Sequence, residues 1–464
     1  MDHFIEKVHK TIRKYNMLRP DDGVVVGISG GSDSVCLLHI LYKLKKAYNL
    51  CLYAAHVNHR LRGKAADDDA AYVERLCGQL EVPVYIKTVD IKKVARERGI
   101  SEEVAGREER YKFFFQIAEN TGAHKIALAQ NINDQAETVL MRFIRGSGAE
   151  GLAGIKPVRK DGIIRPLLEV DKQSIERYCT VQGLGPRLDE TNLQPIYTRN
   201  KIRLELIPSI TKEYNANFIQ TAAVTADIIR EDNDFFEGYV NRIVRKQLVT
   251  EAGAVSIPID FLLNQHPAIQ RKVARKAIER LTGHMLDIEY KHIRELLHMA
   301  KKKCTGLSLH LPGHVKAEVV YDRLYLFNNP DRKIGECKVP LPINGQIAVD
   351  ELNVAAEAYI IDREALKDIR LNDFTKAFDY NTINEELYIR NRLPGDKFAP
   401  HGMKGTKKIK DFFIDLKIPR YKRDEIPLLV TDNDILWVIG YRTSERYKCT
   451  NITKQVLIVH IKEI

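Results

Sequence analysis

Strand-like and helical patterns alternate along residues 24–145, and no other feature limits the fold as strongly. Val24–Ile28 is a continuous, mostly β-branched run, as a strand buried on both faces requires. Helical spacing follows over Val35–Tyr48. A second strand is expected at Leu52–Val57, a helix at Asp67–Leu80, a strand at Val84–Val89 and a helix at Glu103–Asn120. A strand at Lys125–Ala129 and a helix at Asp134–Arg145 complete the series. This alternation predicts an α/β fold: a doubly wound parallel sheet with helices on both faces. Ligands of such sheets bind outside the carboxyl ends of the strands, so the loops there are the place to look for chemistry.

The pattern changes near Ile207. Phe218–Gln247 reads as one long helix, helical spacing continues over Pro267–Ala300, and short strands are expected at Leu307–Leu311, Lys316–Val320 and Leu324–Phe327. Beyond this small α/β unit, strand-like runs dominate. Asp432-Asn433-Asp434 between Leu428–Thr431 and Leu436–Ile439 signals a hairpin. Three domains are expected, at residues 1–215, 216–330 and 331–464, the last β-rich.

Met1–Lys14 reads as an amphipathic helix and not as a signal peptide, so a cytoplasmic protein without a membrane association is expected. The seven cysteines are odd in number and include no C-x-x-C pair, which argues against a disulfide framework, a structural zinc and an iron–sulfur cluster. Lys and Arg number 73 against 62 Asp and Glu, a formal charge of +11 that favours a polyanionic partner.

The sharpest motif is Ser29-Gly30-Gly31-Ser32-Asp33-Ser34, between the first strand and its helix. Adjacent glycines let the backbone turn and approach a phosphate, and the amides at the helix start face the anion. No lysine is present, so the loop is not a Walker A loop, nor does it match G-x-G-x-x-G. Asp33 would repel phosphate unless Mg²⁺ stood between them, so Asp33 is the candidate metal ligand. The alternative is a Gly/Ser-rich turn that only caps a helix.

Four further segments lie at strand ends or helix starts. His56-Val57-Asn58-His59-Arg60-Leu61-Arg62-Gly63 closes the second strand. Glu103, Arg107, Arg110 and Tyr111 share a helix face, where a surface ion pair is the plain alternative. Asp134 and Glu137 share a face at a helix start, where they serve as caps or as holders of Mg²⁺ or an ammonium; Arg142, Arg145 and Gly146-Ser147-Gly148 follow. Last, Asp189-Glu190-Thr191-Asn192 precedes Tyr197-Thr198-Arg199-Asn200-Lys201-Ile202-Arg203. Near the C-terminus Lys404, Lys407, Lys408, Lys410, Lys417, Arg420, Lys422 and Arg423 are interleaved with Phe412, Phe413 and Tyr421, a composition that fits RNA or a charged surface over an apolar core.

The loop resembles that of the PP-loop ATP pyrophosphatases (adenine nucleotide alpha hydrolase-like), which split ATP into AMP and pyrophosphate. Together with HVNHRLR, E-x-x-x-R-x-x-R-Y, N-D-Q-A-E-T, R-x-x-R-G-S-G and DETN…Y-x-R-N-K-I-R, it resembles the lysidine synthetase family. The likeness continues through Arg392–Phe398 and Gly402–Lys408. One departure is that Gln130 and Asn131 stand where the family has two histidines, and an amide does not titrate near neutrality. The resemblance implies ATP with Mg²⁺, free L-lysine, a CAU-anticodon isoleucine tRNA as partner, and an adenylated wobble cytidine as intermediate. It implies catalytic roles for Asp33, Asp134 and Glu137, and ATP contacts from Ser29, Gly30, Gly31, Ser32, Asp33, Ser34, His56 and Arg107. It implies tRNA contacts from Arg110, Arg142, Arg145, Arg199, Arg203, Arg392, Lys397, Lys404, Lys407 and Lys408. A tRNA thiolase of the same fold and a tRNA-binding homologue with weakened catalysis remain the alternatives, and a homodimer remains open.

Overall fold

The computed structural model describes residues 2–60, 64–187, 198–251, 253–328, 335–419 and 422–464. The chain divides into two compact units, Met1–Gly238 and Tyr239–Ile464. In the first, α1 (Asp2–Lys14) leads to β1 (Gly23–Gly27), α2 (Ser32–Tyr48), β2 (Cys51–Asn58), α3 (Lys64–Gln79), β3 (Val84–Thr88), α4 (Ile91–Arg98) and α5 (Glu102–Thr121). There follow β4 (Lys125–Ala127), α6 (Ile132–Ile144), α7 (Ala149–Leu152), β5 (Ile163–Ile164), α8 (Lys172–Val181), α9 (Thr198–Lys201), a π-turn at Ile202–Leu206, α10 (Ile207–Glu213) and α11 (Phe218–Val244).

The strands form a parallel sheet in the order β3-β2-β1-β4-β5. Val24, Val25 and Val26 of β1 are fully buried because helices cover both faces. Their alternation is visible in the core. Val24 and Val26 join Val8, Leu37, Leu41, Val73 and Ile175 on one face, while Val25 joins Phe114, Ile117 and Ala118 of α5 on the other. Each such side chain contributes on the order of 1.5–3 kcal/mol by leaving water. After β1 the chain winds to one side through β2 and β3, then returns to β4 and β5 on the other. The crevice therefore opens where the loops after β1 and β4 diverge.

Helices α4, α7, α8 and α10 were not anticipated. The expected helix at Glu103 is preceded by α4, which ends at Gly99 with φ +63 before Ser101 caps α5 through the Val104 amide at 3.3 Å. The two-residue β5 was likewise unanticipated, being too short to show a period.

In the second unit β6 (Val249–Glu251), β7 (Ala254–Pro258), β8 (Ser308–Leu311), β9 (Val315–Val320) and β10 (Arg323–Asn328) form an antiparallel sheet in the order β6-β7-β10-β9-β8. α12 (Ile259–Leu263), α13 (Pro267–Thr282) and α14 (Tyr290–Lys302) pack with it. The remainder is β-rich, as expected. Strands 338–340, 388–390, 428–430, 435–438 and 442–443 form one antiparallel sheet, and strands 345–349, 354–362, 375–379 and 455–463 another. The two sheets share one core around Trp437, Phe378, Leu429 and Leu457. The hairpin at Asp432–Asp434 is present, pairing Leu429 with Trp437. Among the described residues no helix is long and apolar enough to cross a membrane.

Gly162 holds the β4–β5 edge together. Its φ is +86, and a Cβ there would stand 2.6 Å from the His124 carbonyl oxygen, which is backbone and cannot swing away. Gly162→Ala is expected to destabilise the first unit by about 1–3 kcal/mol. A thermal or urea melt as stable as wild type would contradict this.

Candidate nucleotide site at the switch point of the sheet

Ser34 ties the loop after β1 into shape. The Ser29 amide donates to Ser34 Oγ at 3.0 Å, Ser34 Oγ donates to the Gly31 carbonyl at 3.0 Å, and Ser29 Oγ lies 3.1 Å from Ser34 Oγ. Gly30 has φ +91, a conformation that favours glycine. Gly31 is the N-cap of the 17-residue α2 and makes no side-chain cap. The helix start thus lacks a side-chain acceptor of its own and is shaped for an anion. His56 braces this loop from behind. It is buried, its Nδ1 lies 2.9 Å from the Ile28 carbonyl oxygen, burial depresses its pKa, and its Nε2 has no partner among the described residues.

Asp33 meets two other segments. Lys172 Nζ, from the first residue of α8, donates to Asp33 Oδ2 and to Ser32 Oγ, both at 2.8 Å. Asn131 Nδ2, from the loop after β4, donates to Asp33 Oδ1 at 3.2 Å. Burial raises the Asp33 pKa against the pull of the Lys172 ammonium. Lys172 was not among the residues singled out from the sequence. It lies far from the motif, and only its place at a helix start could have drawn notice.

Asn131 also caps α6. Its Oδ1 accepts from the Asn133 and Asp134 amides at 2.9 and 3.1 Å, and Asp134 Oδ2 accepts from the Asn131 amide at 3.0 Å, a capping box. The capping alternative for Asp134 is therefore realised with one oxygen. The other, Oδ1, accepts from Arg199 and Arg203 at 2.8 and 3.2 Å. Glu137 takes Arg199 Nε at 2.7 Å on one oxygen and Arg203 Nε at 2.5 Å on the other. Burial works against the charge of both guanidiniums, but the two carboxylates outweigh it and raise their pKa values. The cluster is two negative charges against two positive.

Beside it lies a cavity of ≈ 830 Å³ lined, among the described residues, by eight cationic side chains, including Arg107, Arg142, Arg159, Arg165 and Arg199, against the acids Glu150, Asp161, Asp234 and Glu237. Arg107 and Arg159 stand over the Tyr111 ring at 5.2 and 5.4 Å. Gln130 Oε1 accepts from Arg165 Nε at 2.7 Å. Arg142 Nη1 donates to the carbonyls of Gly151 and Gly154, both at 2.8 Å, and so holds the loop behind α6. Arg110 and Arg145 are exposed and do not line this cavity.

In the second unit Lys397, Lys404 and Lys408 are exposed, Lys407 pairs with Asp415, and Arg392 Nε lies 2.8 Å from Asp424. Phe412 and Phe413 are core residues, packed with Phe398 and Leu428, so they offer no ring to a base. Leu61, Arg62, Gly63, Asp189–Asn192, Tyr197, Arg420 and Tyr421 lie outside the described residues.

ATP and Mg²⁺ fit this donor set. The helix start is open, the ammonium of Lys172 stands beside it, and Asp33 is the carboxylate nearest the loop.

His59 gives the unit a pH dependence. Burial, then the charges of Arg110 and His56, lower its pKa to about 4. The unfolded chain takes up this proton near pH ~6.5, so the stability due to neutral His59 is complete above that pH and is lost as the pH falls towards the folded value. His59→Gln is expected to flatten the fall in melting temperature between pH 7 and 5; an unchanged slope contradicts the assignment.

Comparison with known proteins agrees with the geometry. The PP-loop domain family matches residues 1–210, the TilS substrate binding domain family residues 258–325 and the TilS substrate C-terminal domain family residues 387–460. The tRNA(Ile)-lysidine synthase of Caldanaerobacter subterraneus subsp. tengcongensis is 40% identical over 455 residues, covering 98% of this chain and 97% of its own. That of Clostridium acetobutylicum is 41% identical over 469 residues, covering 99% of each. That of Dehalococcoides mccartyi is 33% identical over 474 residues, covering 98% of this chain and 99% of its own. Likeness of this degree runs through both units, and the chain belongs to the tRNA(Ile)-lysidine synthase family.

Proposed function

We propose that the protein joins free lysine to C2 of the wobble cytidine in a CAU-anticodon isoleucine tRNA, consuming ATP and releasing AMP and pyrophosphate. The observation that carries this reading is the open phosphate loop facing the α6 carboxylates across a single crevice, in a chain whose relatives of that name align end to end. In the first step cytidine O2 attacks the α-phosphorus and the bond to pyrophosphate breaks. In the second the lysine ε-amine, having lost a proton, attacks C2, and the C2–O bond to AMP breaks.

Ser29–Ser34 would hold the phosphates, and Asp33 would hold Mg²⁺, whose charge would offset that of the triphosphate. Arg107 and Arg142 line the approach, where preorganised cations offset charge developing at phosphorus. Glu137 is 1% exposed and serves as the anchor of Arg199 and Arg203. Asp134 is 15% exposed, so of the two it is the carboxylate that reaches the lysine ammonium. The exposed Arg110 and Arg145, with Arg392, Lys397, Lys404, Lys407 and Lys408, serve the tRNA backbone. On this reading the reaction calls for neither zinc nor an iron–sulfur cluster, and the protein acts in the cytoplasm.

The test incubates the protein with Mg²⁺, ATP, labelled lysine and the tRNA, and counts label in the wobble nucleoside. Label that requires ATP and is absent with a CAU-anticodon methionine tRNA is expected. Asp33→Ala is expected to abolish incorporation with tRNA binding retained, and Asp134→Asn to raise KM for lysine about ten- to hundredfold, the worth of a charged hydrogen bond. Full incorporation by Asp33→Ala would sink the reading.

A further inference from the structure

We propose that Lys172 is the phosphate-binding lysine this loop lacks, supplied from α8. It clamps Ser32 and Asp33, and when nucleotide binds its ammonium moves onto the phosphates that leave as pyrophosphate. The inference rests on the reading that the loop binds ATP.

No lysine occurs in Ser29–Ser34, yet the Lys172 ammonium touches two of its side chains. Ser32 is the first residue of α2, so this cation sits at the positive end of a 17-residue helix whose cap makes no side-chain hydrogen bond. A cation is disfavoured there. Lys172 is also the first residue of α8, so a second helix start adds its own positive potential. What opposes this at the contact is the Asp33 carboxylate, which Asn131 shares, with the more exposed Glu176 3.9 Å from the ammonium. An ammonium and a helix start converging on one point, with Asp33 between them and Glu176 only at the edge, is an arrangement that a polyanion relieves.

The site is also open to such an anion. The side chains of Lys172 and Asp33 are 36% and 32% exposed, so both can be reached without unfolding. The Lys172 backbone is fixed, its amide donating to Asn133 Oδ1 at 3.1 Å, while Asp171 caps α8 through the Ser174 amide at 2.8 Å. Only the side chain needs to turn. Arg199 and Arg203 are held by Asp134 and Glu137 at the start of α6, which leaves the loop side of the triphosphate to Lys172. As Lys172 leaves, Asp33 Oδ2 is freed for the metal that accompanies the nucleotide.

The experiment measures equilibrium binding of Mg²⁺ with α,β-methylene ATP, of pyrophosphate and of AMP to the full chain, for wild type, Lys172→Met and Lys172→Arg, with thermal melts of each. The expected result is a loss of about ten- to hundredfold for the ATP analogue and pyrophosphate in Lys172→Met, little change for AMP, and recovery in Lys172→Arg. A clamp that only held the loop in shape would weaken AMP equally and lower the melting temperature, and that result overturns the proposal. So does wild-type affinity for pyrophosphate in a folded Lys172→Met. If the wild type binds no analogue at all, the nucleotide reading of the loop fails first, and the two failures are told apart.

Discussion

The Asp33 carboxylate joins three segments that are remote in sequence. Asn131 reaches it across 98 positions and Lys172 across 139. This junction can form because the strand order places β1 beside β4, so their carboxyl ends open into one crevice. Much of the site's order follows from it. Asn131 spends its amide nitrogen on Asp33 and its oxygen on the start of α6, so the loop after β1 and the helix after β4 are set relative to each other. The capping box then leaves Asp134 one oxygen for the arginines, and Glu137, one turn further on, receives both of them.

Charge balance decides what such a crevice accepts. A carboxylate as buried as Glu137 persists because Arg199 and Arg203 share it, and removing either side would strand a charge. Among the described residues the adjoining cavity carries eight cations against four acids, an excess suited to phosphate and RNA. A cationic substrate must enter against that field, and the partly exposed Asp134 is the place in the cluster that favours it. The two substrates of the proposed reaction thus bring opposite charge to one site, and the carboxylate–arginine cluster stands between them.

The sequence made legible whatever local pattern dictates. The buried Val24–Ile28 run, the Gly-Gly turn and the helical spacing after it are contiguous, so strand, loop and helix could be read together. The alternation through Ala129 implied the parallel sheet, and Asp432-Asn433-Asp434 implied its hairpin. Features that depend on tertiary contact were not legible. Two residues of β5 show no period, and α4 is separated from α5 only by a Gly99 cap and a Ser101 start. Asp134 and Glu137 were recognised as a pair, but their occupation by Arg199 and Arg203 depends on a chain reversal with no local signature. Gln130 and Asn131 looked like losses when set against the family's histidines. In the fold one amide orders Arg165 and the other joins two loops, tasks that need hydrogen bonds and not a titrating ring.

In the proposed reaction the switch-point crevice transfers an adenylyl group to the tRNA before lysine takes part. The most direct test supplies ATP labelled at the α-phosphate, Mg²⁺ and the CAU-anticodon isoleucine tRNA without lysine, then quenches within a single turnover. The expected result is label bound to the tRNA and its release as AMP when lysine is added. Label that stays in ATP until lysine is present, and never joins the tRNA, would contradict it.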